Sequence, residues 1–168
     1  MTVSTRVGLS VLAAALSLLK ACSSSGSGGS SATRDHTAQT AQTAQTAQRY
    51  LAIAVPANKE LDTSFDALDD HDDDLVASAD LLRRIAATER QFDHDLLALR
   101  LPGTLGATAS ALVQVNEARA NLTDDARSAA SLDSLHRYEF ELDALNAPVE
   151  DEVRLLRNEL GLPPPDND

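Results

Sequence analysis

The sequence predicts an all-α protein: an antiparallel, up-down-up-down four-helix bundle behind a signal peptide and a flexible tether. Two observations carry that reading. Between Tyr50 and Leu160, apolar residues recur at alternating steps of three and four in four separate stretches, the spacing that lines one side of a helix. The stretches are divided by Asp69 to Asp74, by Leu101-Pro102-Gly103 and by a short break before Ser131. Connections this short keep sequential helices side by side and antiparallel.

The first 21 residues lie outside that pattern. The leader MTVSTR carries one Arg and no acid, and an apolar run of 13 residues follows, Val7 to Leu19. As a helix it would cover about 20 Å, short of the roughly 30 Å hydrocarbon layer. It therefore reads as the h-region of a signal peptide, residues 1–21, and not as a transmembrane anchor. Cys22 is the only cysteine, and it stands where the apolar run meets SSSGSGGSS. Leu19-Lys20-Ala21-Cys22 resembles the lipobox of a bacterial lipoprotein, with Leu at −3 and Ala at −1; Lys20 departs from the small or apolar residue usual at −2. The resemblance implies cleavage before Cys22, a diacylglyceryl thioether with palmitate-type chains, and a protein held on the cell membrane facing outside the cytoplasm. Two acyl chains suffice for stable anchoring where one would not.

Residues 22–48 read as a tether. Ser and Gly dominate to about residue 36, and Thr37-Ala38-Gln39 then occurs four times, ending at Gln48. Low-complexity sequence of this kind reads as a spacer. As coil it would reach roughly 30 Å, although Ala and Gln also allow it to prolong the next helix backwards.

The bundle is expected over residues 49–161. The first helix carries the seam Leu51, Ala54, Asn58, Leu61, Phe65 and Leu68, with Ala44 and Ala47 upstream. Pro56 within it predicts a kink or a late start. The run Asp69-Asp70-His71-Asp72-Asp73-Asp74 reads as the turn, with Asp72 as N-cap of the second helix. That helix runs from about Asp73 to Arg100 on the seam Leu75, Ser78, Leu82, Ile85, Glu89, Phe92, Leu96 and Leu99. The third is expected from about Thr104 to Arg127 on Leu105, Thr108, Leu112, Val115, Arg119 and Leu122. Ser131 caps the fourth, whose seam is Leu132, Leu135, Glu139, Leu142, Asn146, Val149, Val153, Leu156 and Leu160. Pro148 should bend it, Gly161 should stop it, and Pro163 to Pro165 forbid its continuation. Residues 162–168 read as a loose tail.

The segments Val55-Pro56-Ala57-Asn58, Ser131 to Leu135 (SLDSL) and Leu156 to Pro164 (LRNELGLPP) resemble small actinobacterial membrane lipoproteins of unknown function. The resemblance implies an Ala-rich helical bundle at the membrane and adds no activity.

Composition removes several function classes. The formal net charge is −12, and loss of Arg6 and Lys20 with the signal would make it more negative. Such a surface is repelled by nucleic acid and by anionic lipid heads. With no Trp, 3 Phe and 2 Tyr, stacking platforms for bases have little material. A single cysteine permits no disulfide within the chain.

Candidate chemistry lies in the polar interruptions of the seams. In antiparallel helices, Asn58 and Arg119 fall in one layer, with Glu89 and Glu139 one turn away. The expectation is that Arg119 bridges Glu89 and Glu139 inside the bundle, with Asn58 and His136 nearby. Such a cluster fixes helix register; the alternative is a site for a small ligand or cation. The Asp69–Asp74 run, with His71 in it, offers hard oxygen ligands to a divalent cation, but lacks the Gly and spaced ligands of an EF-hand and reads more simply as a solvated capping turn. A di-iron-type bundle site requires paired Glu-x-x-His motifs; the nearest match is Asp133 with His136. No nucleophile motif or phosphate loop is present, so no catalytic residue and no cofactor is assigned. The sequence points to a non-enzymatic, lipid-anchored helical module of the cell envelope, its partners the membrane through Cys22 and a protein of the envelope. The alternative is an envelope binding protein for a divalent cation or small ligand.

Overall fold

The computed structural model describes residues 32–165, with side chains from residue 39 onward. The signal peptide, Cys22, the Ser/Gly run and residues 166–168 lie outside the described residues. Four helices make up the fold: α1 (Ala32–Asp69), α2 (Leu75–Ala98), α3 (Gly103–Ala126) and α4 (Leu132–Glu159). Among the described residues there is no strand.

Sequential helices pack on one another, α1 on α2, α2 on α3 and α3 on α4. Arg49 Nη2 donates to the Leu99 carbonyl at 3.3 Å, and Arg84 pairs with Glu60 at 3.0 Å. Numbers thus rise along α1 as they fall along α2. The pairs Asp93–Asn116 and Glu89–Arg119 give the same opposed sense for α2 and α3. At one end of α3, Thr108 donates to Glu159 of α4; at the other, Ala126 shares a core with Leu135.

Local chemistry sets the ends. Asp74, not Asp72, caps α2: its carboxylate accepts from the backbone N–H groups of Val76 and Ala77. The start of α2 therefore lies two residues later than the sequence suggested, because Asp74 is the residue with extended backbone before the first helical turn. Ser131 caps α4 in a reciprocal box with Ser134, as its position before the apolar seam implied. α4 ends on Gly161, at φ +67°. There Leu162 N–H reaches the Arg157 carbonyl and Gly161 N–H reaches that of Asn158, the two bonds of a Schellman motif. Leu162 packs against the core and the Pro163 carbonyl accepts from Arg157 Nε at 2.7 Å. The start of the tail is thus pinned, a correction to the loose tail expected from residue 162. At the α2–α3 turn, a Cβ on Gly106 would lie 2.4 Å from the Leu101 carbonyl oxygen, so only glycine fits that approach.

α1 differs most from expectation. It neither starts late nor breaks at Pro56, and it takes in the Thr-Ala-Gln repeat. Pro56 and Ala52 both face solvent, so the carbonyl left without its helical donor lies on the wet side, where water can serve it. Pro148 and Ala144 are placed the same way in α4. The repeat is helical and, from residue 39, largely exposed; Ala44 faces solvent, and Ala47 is the first buried residue among those with described side chains. Thr43 and Thr46 return their hydroxyls to the carbonyls four residues back. The boundary drawn at residue 48 therefore falls inside a continuous helix.

The core is split in two. At one end, Ala47, Tyr50 and Ala54 of α1 meet Leu96, Ala109, Leu112, Val149, Val153, Leu156 and Leu160. At the other, Leu68, Leu81, Leu82, Ile85, Ala126 and Leu135 form a second cluster. Every helix contributes to both. Between them lies a set of buried polar residues, with Ala86 and Ala120 beside them.

Candidate functional site: a polar band across the bundle

The band lies where seam positions are polar. On α2, Glu89 and Asp93 stand one turn apart and both are buried. On α3, Asn116 and Arg119 face them, and Asn58 enters from α1. Arg119 Nη2 stands 3.1 Å from Glu89 Oε1, with both side chains almost wholly removed from solvent. The contact is an ion pair without a well-directed hydrogen bond, and neither Glu89 oxygen has a hydrogen-bond partner. The other face of the guanidinium lies over the Phe65 ring, 5.5 Å from its centroid, a cation–π arrangement. Asn116 donates to Asp93 Oδ1 at 2.9 Å and to the Glu89 carbonyl at 3.4 Å. Asp93 Oδ2 and Asn58 Nδ2 are buried without partners.

Removing a charge from water disfavours the charged form. Burial pushes the Glu89 carboxyl up to about 7; Arg119 and Arg90 oppose the rise and Glu117 adds to it. Asp93 is also raised to about 7, by burial first, against its hydrogen bond from Asn116, with Glu117 and Glu89 adding. The band thus sets two carboxyls beside one guanidinium.

A cavity of about 50 Å³ adjoins the pair. Its polar wall is Asn58, Glu89, Asn116, Arg119, Asn146 and Glu150; Leu61, Phe92, Leu112, Val149 and Val153 complete it. All four helices contribute.

The sequence placed Asn58, Glu89 and Arg119 together, and the structure does so. Glu139 is the correction: it is exposed, and α4 turns Tyr138 toward the second core cluster instead. The reason is competition for one inward position. An aromatic ring gains by burial, whereas a second carboxylate finds Arg119 already committed to Glu89 and Phe65. Glu139 sits near the acidic turn; its carboxyl is raised by partial desolvation first, with His136 opposing and Asp69 and Asp72 adding. His136 is exposed as well. Two members of the band, Asp93 and Asn116, are absent from the predicted cluster. The signal was in the spacing: Asp93 lies four after Glu89 and three before Leu96, and Asn116 lies four after Leu112.

The Asp69–Asp74 turn is exposed throughout. Asp69 is raised by burial and by Asp66, Asp70 and Asp72, while Asp74 is occupied in capping. Among the described residues no three His, Cys, Asp or Glu side chains gather closely enough to hold a metal ion.

A second buried polar group lies at the far end. Arg157 is fully buried beside Tyr50, whose phenol burial pushes up to about 12 against the opposing pull of Arg157. Arg157 Nε is bonded to the Pro163 carbonyl; Nη1 and Nη2 make no well-directed hydrogen bond, although the guanidinium lies close enough to the Tyr50 hydroxyl to interact with it. Sequence reasoning passed over Arg157, although it lies four after Val153 and three before Leu160.

Comparison with known proteins adds no assignment. No protein-family model matches the chain, and no match was found among curated proteins or solved structures.

Proposed function

We propose that the chain is a membrane-anchored extracytoplasmic lipoprotein whose helical bundle is a structural or interaction module of the cell envelope, of the kind found among small actinobacterial lipoproteins. The observation that carries this reading is Cys22: the only thiol stands directly between a 13-residue apolar run and a Ser/Gly tether. In this reading lipid on Cys22 is the anchor; among the described residues no helix is long and apolar enough to cross a membrane. The cavity beside Glu89 favours a module over a metabolite receptor at that site. A cavity of about 50 Å³ is far below the roughly 300–1,000 Å³ of small-molecule sites.

Cell fractionation tests it. The native chain should sediment with membranes and release into the medium or soluble fraction as Cys22→Ala. Crosslinking in intact cells should then capture an envelope protein on the bundle. A Cys22→Ala chain that stays on the membrane as firmly as the native one overturns the anchor.

A second reading, binding of a small ligand or cation, has one observation in its favour. Glu89 and Asn58 line the cavity with buried polar atoms that have no hydrogen-bond partner.

A further inference from the structure

We propose that the cavity beside Glu89 binds a small protonated amine, ammonium or methylammonium, with Glu89 as its counter-charge. The inference rests on the second reading above and gives it a ligand class.

Size comes first. An apolar cavity of about 150 Å³ holds benzene. A cavity of about 50 Å³ therefore takes a molecule roughly a third as large, about two heavy atoms by the same measure.

Charge selects among such molecules. The buried ionisable groups of the band are Glu89, Asp93 and Arg119, a surplus of one carboxyl over cations. Glu150, half-buried on α4, adds a further carboxyl at the cavity wall, while half-buried Arg90, which also acts on Glu89, is paired with Glu117 and Asp124. Arg119 is committed to Glu89 Oε1 and to the Phe65 ring, which leaves Glu89 Oε2 without a partner. A buried carboxylate in this state is costly unless a donor reaches it. Water would donate to it without supplying a counter-charge, whereas a bound cation supplies both and competes with the proton that burial otherwise favours. The surrounding surface, at net −12, also concentrates cations.

The wall separates an amine from a metal ion. Hard divalent ions take six or more oxygens, and much of this wall is Leu, Val and Phe. An ammonium head needs only a few acceptors. Glu89 supplies charged ones, and Asn58, whose Nδ2 is unbonded, can turn its amide oxygen inward. A single methyl group then meets the apolar part of the wall, Leu112, Val149 and Val153.

Isothermal titration calorimetry on the full chain tests this, with ammonium, methylammonium, sodium and tetramethylammonium chlorides at constant ionic strength. Ammonium and methylammonium should bind once per chain; tetramethylammonium, too large and without an N–H, should not. Glu89→Gln should weaken binding about ten- to hundredfold while circular dichroism shows its helices intact. Val153→Leu, which narrows the apolar side, should reject methylammonium and keep ammonium, and it decides the matter should Glu89→Gln unfold. Sodium binding as strongly as the amines, in a Glu89-dependent way, overturns the amine and leaves the cation reading standing. No Glu89-dependent heat with any salt overturns both.

Discussion

Glu89 Oε1 and Arg119 Nη2 lie 3.1 Å apart in the middle of the bundle, with side-chain exposures of 1 and 4 %. The pair joins α2 to α3 at the level where the apolar core is interrupted. Desolvating two charges costs several kcal/mol each, and mutual attraction offsets this only with good geometry and further hydrogen bonds. Here the hydrogen bonds are few. The band is better understood as a device that sets the register of four helices than as a source of stability.

Its pH dependence follows from the raised carboxyls. Glu89 and Asp93 move from ordinary values of 4.5 and 3.8 to about 7. The folded state therefore binds more protons than the unfolded chain between about pH 4 and pH 7. Stability contributed by these two groups is greatest at the acid end and is lost as pH rises through that window. The groups facing them are Arg119, Arg90 and Glu117, with Asn116 bonded to Asp93. Urea unfolding across this range should show the native chain losing about 1–3 kcal/mol relative to the Glu89→Gln, Asp93→Asn variant. Parallel curves for the two proteins would refute the assignment.

Arg157 makes a contrasting case. Its guanidinium is fully buried beside Tyr50, and of its donors only Nε makes a well-directed bond, to the Pro163 carbonyl. An apolar side chain of similar length removes the cost of burying an unpaired cation. Arg157→Met should raise the unfolding free energy by about 1–2 kcal/mol, while the segment after Leu160 becomes more open to carboxypeptidase. A loss of stability would mean that the guanidinium has partners worth more than its desolvation.

The Thr-Ala-Gln repeat should contribute little to folding. Four repeats of three residues drift around a helix of 3.6 residues per turn, so no face stays apolar. Among its residues with described side chains, only Ala47 reaches the core. Deleting residues 37–42 should change stability by less than about 0.5 kcal/mol, and amides 39–46 should exchange faster than those of 50–65. Equal protection along the whole of α1 would show the repeat to be packed.

The caps carry a larger effect. Ser131 satisfies the N3 amide of α4, and Asp74 those of Val76 and Ala77. Ser131→Ala and Asp74→Ala should each cost about 1 kcal/mol in thermal unfolding. No change in either would place the helix starts elsewhere.

Much of the bundle was legible because its seams obey one period. Leu82, Ile85, Leu96, Leu112, Leu135, Val153, Leu156 and Leu160 are all both predicted seam residues and buried core. The same arithmetic located the Asn58, Glu89 and Arg119 layer. It failed where a strict step of three and four is too narrow. A packed helix buries a stripe about three residues in seven wide, so Asp93, Asn116 and Arg157 enter beside the seam. Their charge or polarity hid them, and Asp93 sits in an Asp-His-Asp run that resembles surface. Glu139 failed for the opposite reason: the step allowed it inward, but Tyr138 competes for the same space. The helicity of the repeat was not legible because Thr opposes what Ala and Gln favour, and its attachment to the buried turn at Ala47 tips the balance.

A double-mutant cycle on Glu89 and Arg119 in the full chain tests the central claim most directly. Arg119→Leu alone should cost about 3–5 kcal/mol, because it leaves two buried carboxyls without their cation. Replacing Glu89 by Leu as well should recover much of that loss, with a coupling of about 1.5–3 kcal/mol. A coupling below about 0.5 kcal/mol, with Arg119→Leu as stable as the native chain, would place both side chains in water and contradict the polar band.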